Sequence, residues 1–134
     1  MTDIEKNLLK IDLWCRLPYN VKVHAKYTDL GETIELDGIV KMIDADGVVG
    51  IEVINDFSSA WTYVQIDNVK PYLFPLSSIT EEQKKELQSL IIQDAFGTSD
   101  NTFTEQDFYC KYHLDYRGLN ERNLANNANR LNIY

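Results

Sequence analysis

Asn68-Val69-Lys70-Pro71-Tyr72-Leu73-Phe74-Pro75-Leu76-Ser77-Ser78-Ile79-Thr80 divides the chain into two kinds of pattern. Before it, apolar residues alternate as in strands; after it, they recur at helical spacing. Two of the three prolines lie inside it. Pro71 and Pro75 have no backbone N–H and a fixed φ, so neither fits a helix interior or a central strand. Each drives the residue before it, Lys70 or Phe74, toward extended backbone. The stretch therefore reads as an extended crossover. Val69, Tyr72, Leu73, Phe74, Leu76 and Ile79 are too apolar for a free linker, so it is expected to lie pinned against a core. Thr80-Glu81-Glu82-Gln83 is a capping box that opens a helix, with two acids suited to the helix dipole.

Upstream, Asp3 to Cys15 reads as a short helix. Ile4, Leu8, Ile11 and Cys15 mark its inner face, widened by Leu9, Leu13 and Trp14. Leu17-Pro18-Tyr19-Asn20 ends it. Val21, Val23 and Ala25 alternate with Lys22, His24 and Lys26 as in a half-buried strand. Asp29-Leu30-Gly31-Glu32 is a turn. Thr33 to Ile43 is a second strand whose alternation slips at Asp37-Gly38, the mark of a bulge or sharp bend. Asp44-Ala45-Asp46-Gly47 is a hairpin signal. Val48 to Ile54 and Ala60 to Ile66 are two further strands around a loop at residues 55–59. Such strands predict a small bent antiparallel sheet or SH3-like barrel.

Downstream, Leu87, Leu90, Ile91 and Ala95 repeat on a helix closed by Gly97. Thr98 to Asn101 is a polar loop. Thr104 caps a second helix that presents Phe108, Tyr109, Tyr112 and Tyr116, flanked by Cys110 and Leu114, and runs to Gly118. The asparagine-rich tail after Leu119 predicts one helical turn around Glu121 to Ala125 and then a loosely held end. The fold class is α+β: a short N-terminal helix and small β unit over residues 1–76, then a helical part over 77–134 packed on it as one folding unit.

A chain of 134 residues, 44% hydrophobic and 25% charged, is an ordinary one-domain globule with a core of its own. No run of about 18 apolar residues predicts a membrane span. The start, Met1 to Lys6, lacks the pattern of an export signal, and Cys15 and Cys110 read as reduced thiols in a cytoplasm. The net charge of −8 is segregated. Residues 29–67 carry nine acids against Lys41 alone, while the remaining twelve acids and twelve bases cancel. An acidic sheet repels a phosphate backbone, so direct nucleic-acid binding is not expected. It fits solvated strand faces, a basic protein partner, or mimicry of nucleic acid.

Catalytic motifs are missing: there is no phosphate-binding glycine loop and no nucleophile elbow. Cys110 and His113 stand three apart, a spacing open to half a zinc site or a nucleophile–base pair, yet only Cys15 and His24 are left to complete the first and no orienting group is evident for the second. Asp44 and Asp46 read as turn residues. The chain thus reads as non-enzymatic, with no cofactor or metal implied. The candidate ligand-binding residues are Trp61, Tyr63, Tyr72, Tyr112, His113, Tyr116 and Arg117, which offer stacking faces and one guanidinium to a planar ligand; aromatics in this number also fill cores.

Three stretches carry a resemblance: Leu17-Pro18-Tyr19; Lys70-Pro71-Tyr72-Leu73 with Pro75-Leu76-Ser77-Ser78-Ile79-Thr80-Glu81-Glu82; and His113 with Asp115-Tyr116-Arg117-Gly118-Leu119. In this order they resemble a family of uncharacterised small phage and prophage proteins of gut Bacteroides-type bacteria. Phe74 stands where that pattern has arginine, and Asn120 where it has isoleucine. The resemblance implies a phage or mobile-element protein made in the bacterial host cytoplasm, with no activity to transfer. Together the observations lead to an accessory protein that binds a host or phage protein through an acidic β surface. The alternatives are a nucleotide-signal sponge acting against host defence, which needs Lys70, Arg16, Lys111 or Arg117 to converge on a pocket, and an acidic nucleic-acid mimic. Nothing in the pattern sets an oligomeric state.

Overall fold

The computed structural model describes residues 1–54, 59–95 and 103–134. Helix α1 (Asp3–Arg16) opens on a reciprocal capping box between Thr2 and Glu5. Its inner face is turned from the expected one. Leu9, Asp12, Leu13 and Arg16 are buried, whereas Ile4, Ile11 and Trp14 are exposed. The rotation has a polar cause: Asp12 and Arg16 satisfy each other at i,i+4, so the buried stripe carries an ion pair that hydrophobicity alone does not mark.

A meander follows. Strands β1 (Lys22–Asp29), β2 (Glu32–Ile43), β3 (Val48–Ile54) and β4 (Ser59–Gln65) each pair antiparallel with the one before. The β1–β2 turn holds Leu30 at φ +50° and Gly31 at φ +81°, the left-handed pair of a two-residue hairpin loop. In the β2–β3 turn, Asp44 Oδ1 accepts from Asp46 N and Val48 N, each at 2.9 Å, as the Asp-Gly signal predicts. The irregularity in β2 falls between Val40 and Met42, beyond Asp37-Gly38. Gly38 is glycine for another reason: a Cβ there would strike Ile51 Cγ2 and lie 2.5 Å from Glu52 O. The expected loop at residues 55–59 lies outside the described residues, apart from Ser59.

A 3-10 turn at Ile66–Asn68 leads into β5 (Val69–Pro75), which pairs antiparallel with β1. The proline-bearing stretch is therefore a strand inside the sheet rather than a bare crossover, and Val69, Tyr72 and Leu73 are buried. Its prolines are tolerated because β5 changes partner along its length. Val69–Pro71 face β1, Tyr72 and Leu73 pair with β7 (Asn126–Asn127), and Phe74 and Pro75 pair with β6 (Leu114–Asp115). The β6 and β7 pairs are parallel, so the bent sheet is mixed, in the order β4-β3-β2-β1-β5-β6. Among the described residues no pairing joins β4 to β5, so the sheet stays open. Val23, Ala25, Val40, Val49, Ile51, Val64 and Leu73 pack beneath α1 with Leu119, Leu124 and Ala125 of the tail.

The Thr80–Gln83 capping box opens α2 (Glu81–Ala95) as predicted. Ile91 and Ile92 are exposed. Helix α2 is joined to α3 (Glu105–Lys111) where Tyr112 Oη donates to Glu86 Oε2 at 2.5 Å. Gly97 and the loop from Thr98 to Asn101 lie outside the described residues. Helix α3 stops at Lys111 instead of Gly118. His113 takes φ +55°, its carbonyl accepts from Phe74 N at 2.8 Å, and Leu114 is drawn into the sheet. The tail is held rather than loose. Ala128 N donates to Leu73 O at 2.9 Å, and the Tyr134 ring stacks on His113 with centroids 3.6 Å apart.

Leu30 pairs a left-handed φ with 98% exposure, so its side chain gains nothing from burial. Leu30→Asn should raise stability by about 0.5–1 kcal/mol, because asparagine before glycine suits this turn. Urea unfolding checks it; an unchanged or lower midpoint contradicts the strain at this turn.

Candidate functional site

The sheet's outer face carries most of the exposed chemistry. On β4, Trp61 and Tyr63 point outward two residues apart and are 50% and 61% exposed. Their partners across β3 are Glu52 and Gly50. A Cβ at Gly50 would crowd Met42 Cβ at 3.1 Å and lie 3.4 Å from Tyr63 Cε1, so the tyrosine ring rests over bare backbone. Glu52 pairs with Lys41 at 3.8 Å.

Further along the same face a polar chain crosses three strands. Tyr72 Oη on β5 donates to Asp37 Oδ1 on β2 at 2.6 Å. His24 Nδ1 on β1 meets the same oxygen at 2.9 Å, and His24 Nε2 lies 3.5 Å from Glu35 Oε1. Burial and the bond to Asp37 push the Tyr72 hydroxyl above its usual range, so it remains a donor. The candidate set omits His24, Glu35 and Asp37, although a signal exists. A two-residue loop at Leu30-Gly31 sets the register Asp29↔Glu32, which places His24 opposite Asp37 and Lys26 opposite Glu35.

A second polar centre lies beneath α1. Arg16 and Asp12 are both fully buried, with Nε–Oδ2 at 2.8 Å, and a third bond runs from Arg16 Nη2 to Leu114 O at 2.7 Å. Burial alone would lower the Arg16 pKa, but Asp12 outweighs it and the guanidinium is held charged. Arg117 reaches Asp12 Oδ1 at 3.3 Å, and both guanidiniums lie over the Tyr116 ring, which also stacks on Tyr109. Beside this centre is a cleft of about 760 Å³ between the end of β5 and the segment after β6, with Ser77, Tyr116, Arg117, Asn120 and Glu121 on its walls. The Asp115 carboxylate accepts from Leu119 N and Asn120 N and shapes that wall.

The seven candidate ligand residues are thus dispersed. Tyr116 and Arg117 line the cleft. Trp61 and Tyr63 share the β4 surface, Tyr72 belongs to the Asp37 chain, Tyr112 bonds Glu86, and His113 stacks on Tyr134. The cations disperse too: Arg16 is committed to Asp12, Lys111 lies 3.5 Å from Glu86, and Lys70 donates to Asn123. Cys110 is buried, and burial with a hydrogen bond to Cys15 pushes its thiol up to about 12, far from a reactive thiolate. Asp44 serves the β2–β3 turn.

Asp12→Ala leaves a guanidinium buried without its counter-ion and should cost about 3–5 kcal/mol, whereas Asp12→Leu with Arg16→Met should cost clearly less. Equal losses in urea unfolding would show that the pair is not the source of the cost. Burial, then Arg16 and Lys22, pull the His113 pKa down to about 4. Below its ordinary value of about 6.5 the unfolded chain binds the extra proton, so stability falls as pH drops from about 6.5 to about 4. His113→Phe keeps a ring against Tyr134 and should show a shallower fall over that window; identical slopes contradict the assignment.

Comparison of the chain with protein-family models, with curated proteins and with solved structures finds no match, so the functional reading rests on the geometry.

Proposed function

We propose that the chain is a non-enzymatic phage or prophage accessory protein, working in the bacterial host cytoplasm, that binds a host or phage protein through the acidic outer face of β2–β4. The observation that carries this reading is the pair Trp61 and Tyr63, exposed side by side on a sheet whose segment 29–67 has a net charge of −8. Large exposed aromatics on a domain of one net charge suit a protein interface: the rings supply contact area, and the net charge steers a basic partner and repels others. The Tyr72–Asp37–His24 chain ties β5, β2 and β1 together on this face, so the surface is presented without needing to order first. The resemblance of the Lys70–Glu82 and Asp115–Leu119 stretches to phage proteins supports the setting.

A nucleotide-signal sponge has one observation in its favour, the cleft with Tyr116 and Arg117 on its wall. Arg117 is already balanced there by Asp12, and Asp115 and Glu121 add negative charge, a poor setting for phosphates. Mimicry of nucleic acid draws on the same acidic face and names a nucleic-acid-binding protein as the basic partner.

Immobilised chain should retain a basic protein from phage-infected host lysate at low salt. Retention should fall about tenfold or more with Glu35→Lys plus Glu52→Lys, the acids that share this face, and vanish at about 0.5 M salt. If no retained protein responds to both changes, the acidic face is not the binding surface.

A further inference from the structure

We propose that two copies of this chain join edge to edge, β4 pairing antiparallel with β4 of the second copy about a two-fold axis at Thr62, so that one sheet runs through both. This goes beyond the binding reading and does not depend on it.

Strand β4 ends the sheet order, and among the described residues no strand pairs with its outer side. Exposed edges in monomeric proteins are blunted by charge, proline, bulges or short length. Ser59-Ala60-Trp61-Thr62-Tyr63-Val64-Gln65 has none of these devices. It carries no charged residue and no proline, although it belongs to the acidic half of the chain. Its register against β3 runs from Ile54↔Ser59 to Val48↔Gln65 without a break. The opposite side of the sheet is managed differently: β5 carries Lys70, Pro71 and Pro75, and β6 and β7 cover it.

The strand is also complementary to itself. Antiparallel edge pairing of identical strands needs a two-fold axis perpendicular to the sheet, which keeps both outer faces on one side. The axis then passes through a residue paired with its own copy. Thr62 is the middle residue of β4, so centring there pairs the strand over its whole length. Trp61 then lies opposite Tyr63 of the second copy, twice, on the outer face. On the inner face Thr62 meets Thr62, and Ala60 meets Val64. Aromatic pairs and Thr–Thr pairs are among the favourable cross-strand combinations, and no like charges face each other. Centring on Tyr63 or on Trp61 shortens the ladder and sets one ring against Gln65 or Ser59.

Net charge opposes the union only weakly. Among the described residues the acid beside β4 is Glu52, one strand in and paired with Lys41, while Asp67, two residues past the strand, is paired with Lys6. Two copies of Glu52 would stand three strand spacings apart, roughly 14 Å, beyond the screening length of about 8 Å at physiological salt. Association should therefore strengthen with salt, opposite to capture of a basic partner.

Sedimentation equilibrium of the full chain at about 100 μM, where a micromolar dimer is nearly complete, should give twice the 15.5 kDa chain mass, more fully at high salt than at low. Trp61→Lys with Tyr63→Lys sets lysine against lysine in both cross pairs and should weaken the dimer about tenfold or more. Trp61→Lys with Tyr63→Glu sets lysine against glutamate in this register and should restore it. Circular dichroism confirms that both variants fold. A monomer at every salt concentration, or a dimer indifferent to the lysine pair, overturns the proposal. Failure of the glutamate variant to recover dimerisation overturns the register about Thr62. Loss of lysate capture with a dimer intact would count against the binding reading alone.

Discussion

The ion pair of Asp12 and Arg16 is the contact on which the N-terminal helix and the C-terminal third of the chain agree. A fully buried guanidinium demands acceptors for its donors, and one carboxylate does not supply enough. Asp12 takes two bonds and the carbonyl of Leu114 a third. That carbonyl also accepts from Tyr116 N at 3.1 Å, and it is turned toward Arg16 because α3 has ended; in a helix running on to Gly118 it would point along the axis instead. The bond to Arg16 thus goes together with the short helix, the left-handed backbone at His113, and the entry of Leu114 into the sheet beside Phe74. Arg117 then arrives at the second oxygen of Asp12, and the face of Tyr116 receives both cations.

Legibility in the sequence follows the range of the interaction. The capping box at Thr80, the cap at Thr104, the Asp44–Gly47 turn and the meander strands depend on neighbours a few residues away, and they are present as read. The face of α1, the end of α3 and the fate of the tail depend on partners far along the chain. Periodicity sees Ile4 and Ile11 as apolar, and it does not see that Asp12 and Arg16 cancel each other and go inside. Nor does an asparagine-rich composition show that Leu124, Ala125 and Ala128 will be buried. The chain uses Asn20, Asn123 and Asn132 at positive φ, so the abundance of asparagine reflects turn geometry more than loss of order. The pair His24–Asp37 was within reach, because a two-residue hairpin loop sets every partner in the ladder above it.

The two faces of the sheet have been given to different tasks. The inner face is occupied by α1 and the tail. The outer face is left open, acidic, and crossed by a tyrosine–aspartate–histidine chain that makes it stiff. Trp61 and Tyr63 on this second face do not serve the core. Their position on an uncharged terminal strand leaves both rings exposed beside the free edge of the sheet.

Strand β5 also sets an order in time. The meander closes over short hairpins, which cost little chain entropy and form early. Strand β5 finds its neighbours only in segments distant in sequence, β1 on one side and β6 and β7 on the other. Until residues 114–127 have docked, β5 lacks its partners beyond Pro71 and Leu73 lacks the cover of the tail. Assembly therefore leaves β5 as a temporary border that closes only when the end of the chain arrives, and this border invites misassociation during synthesis.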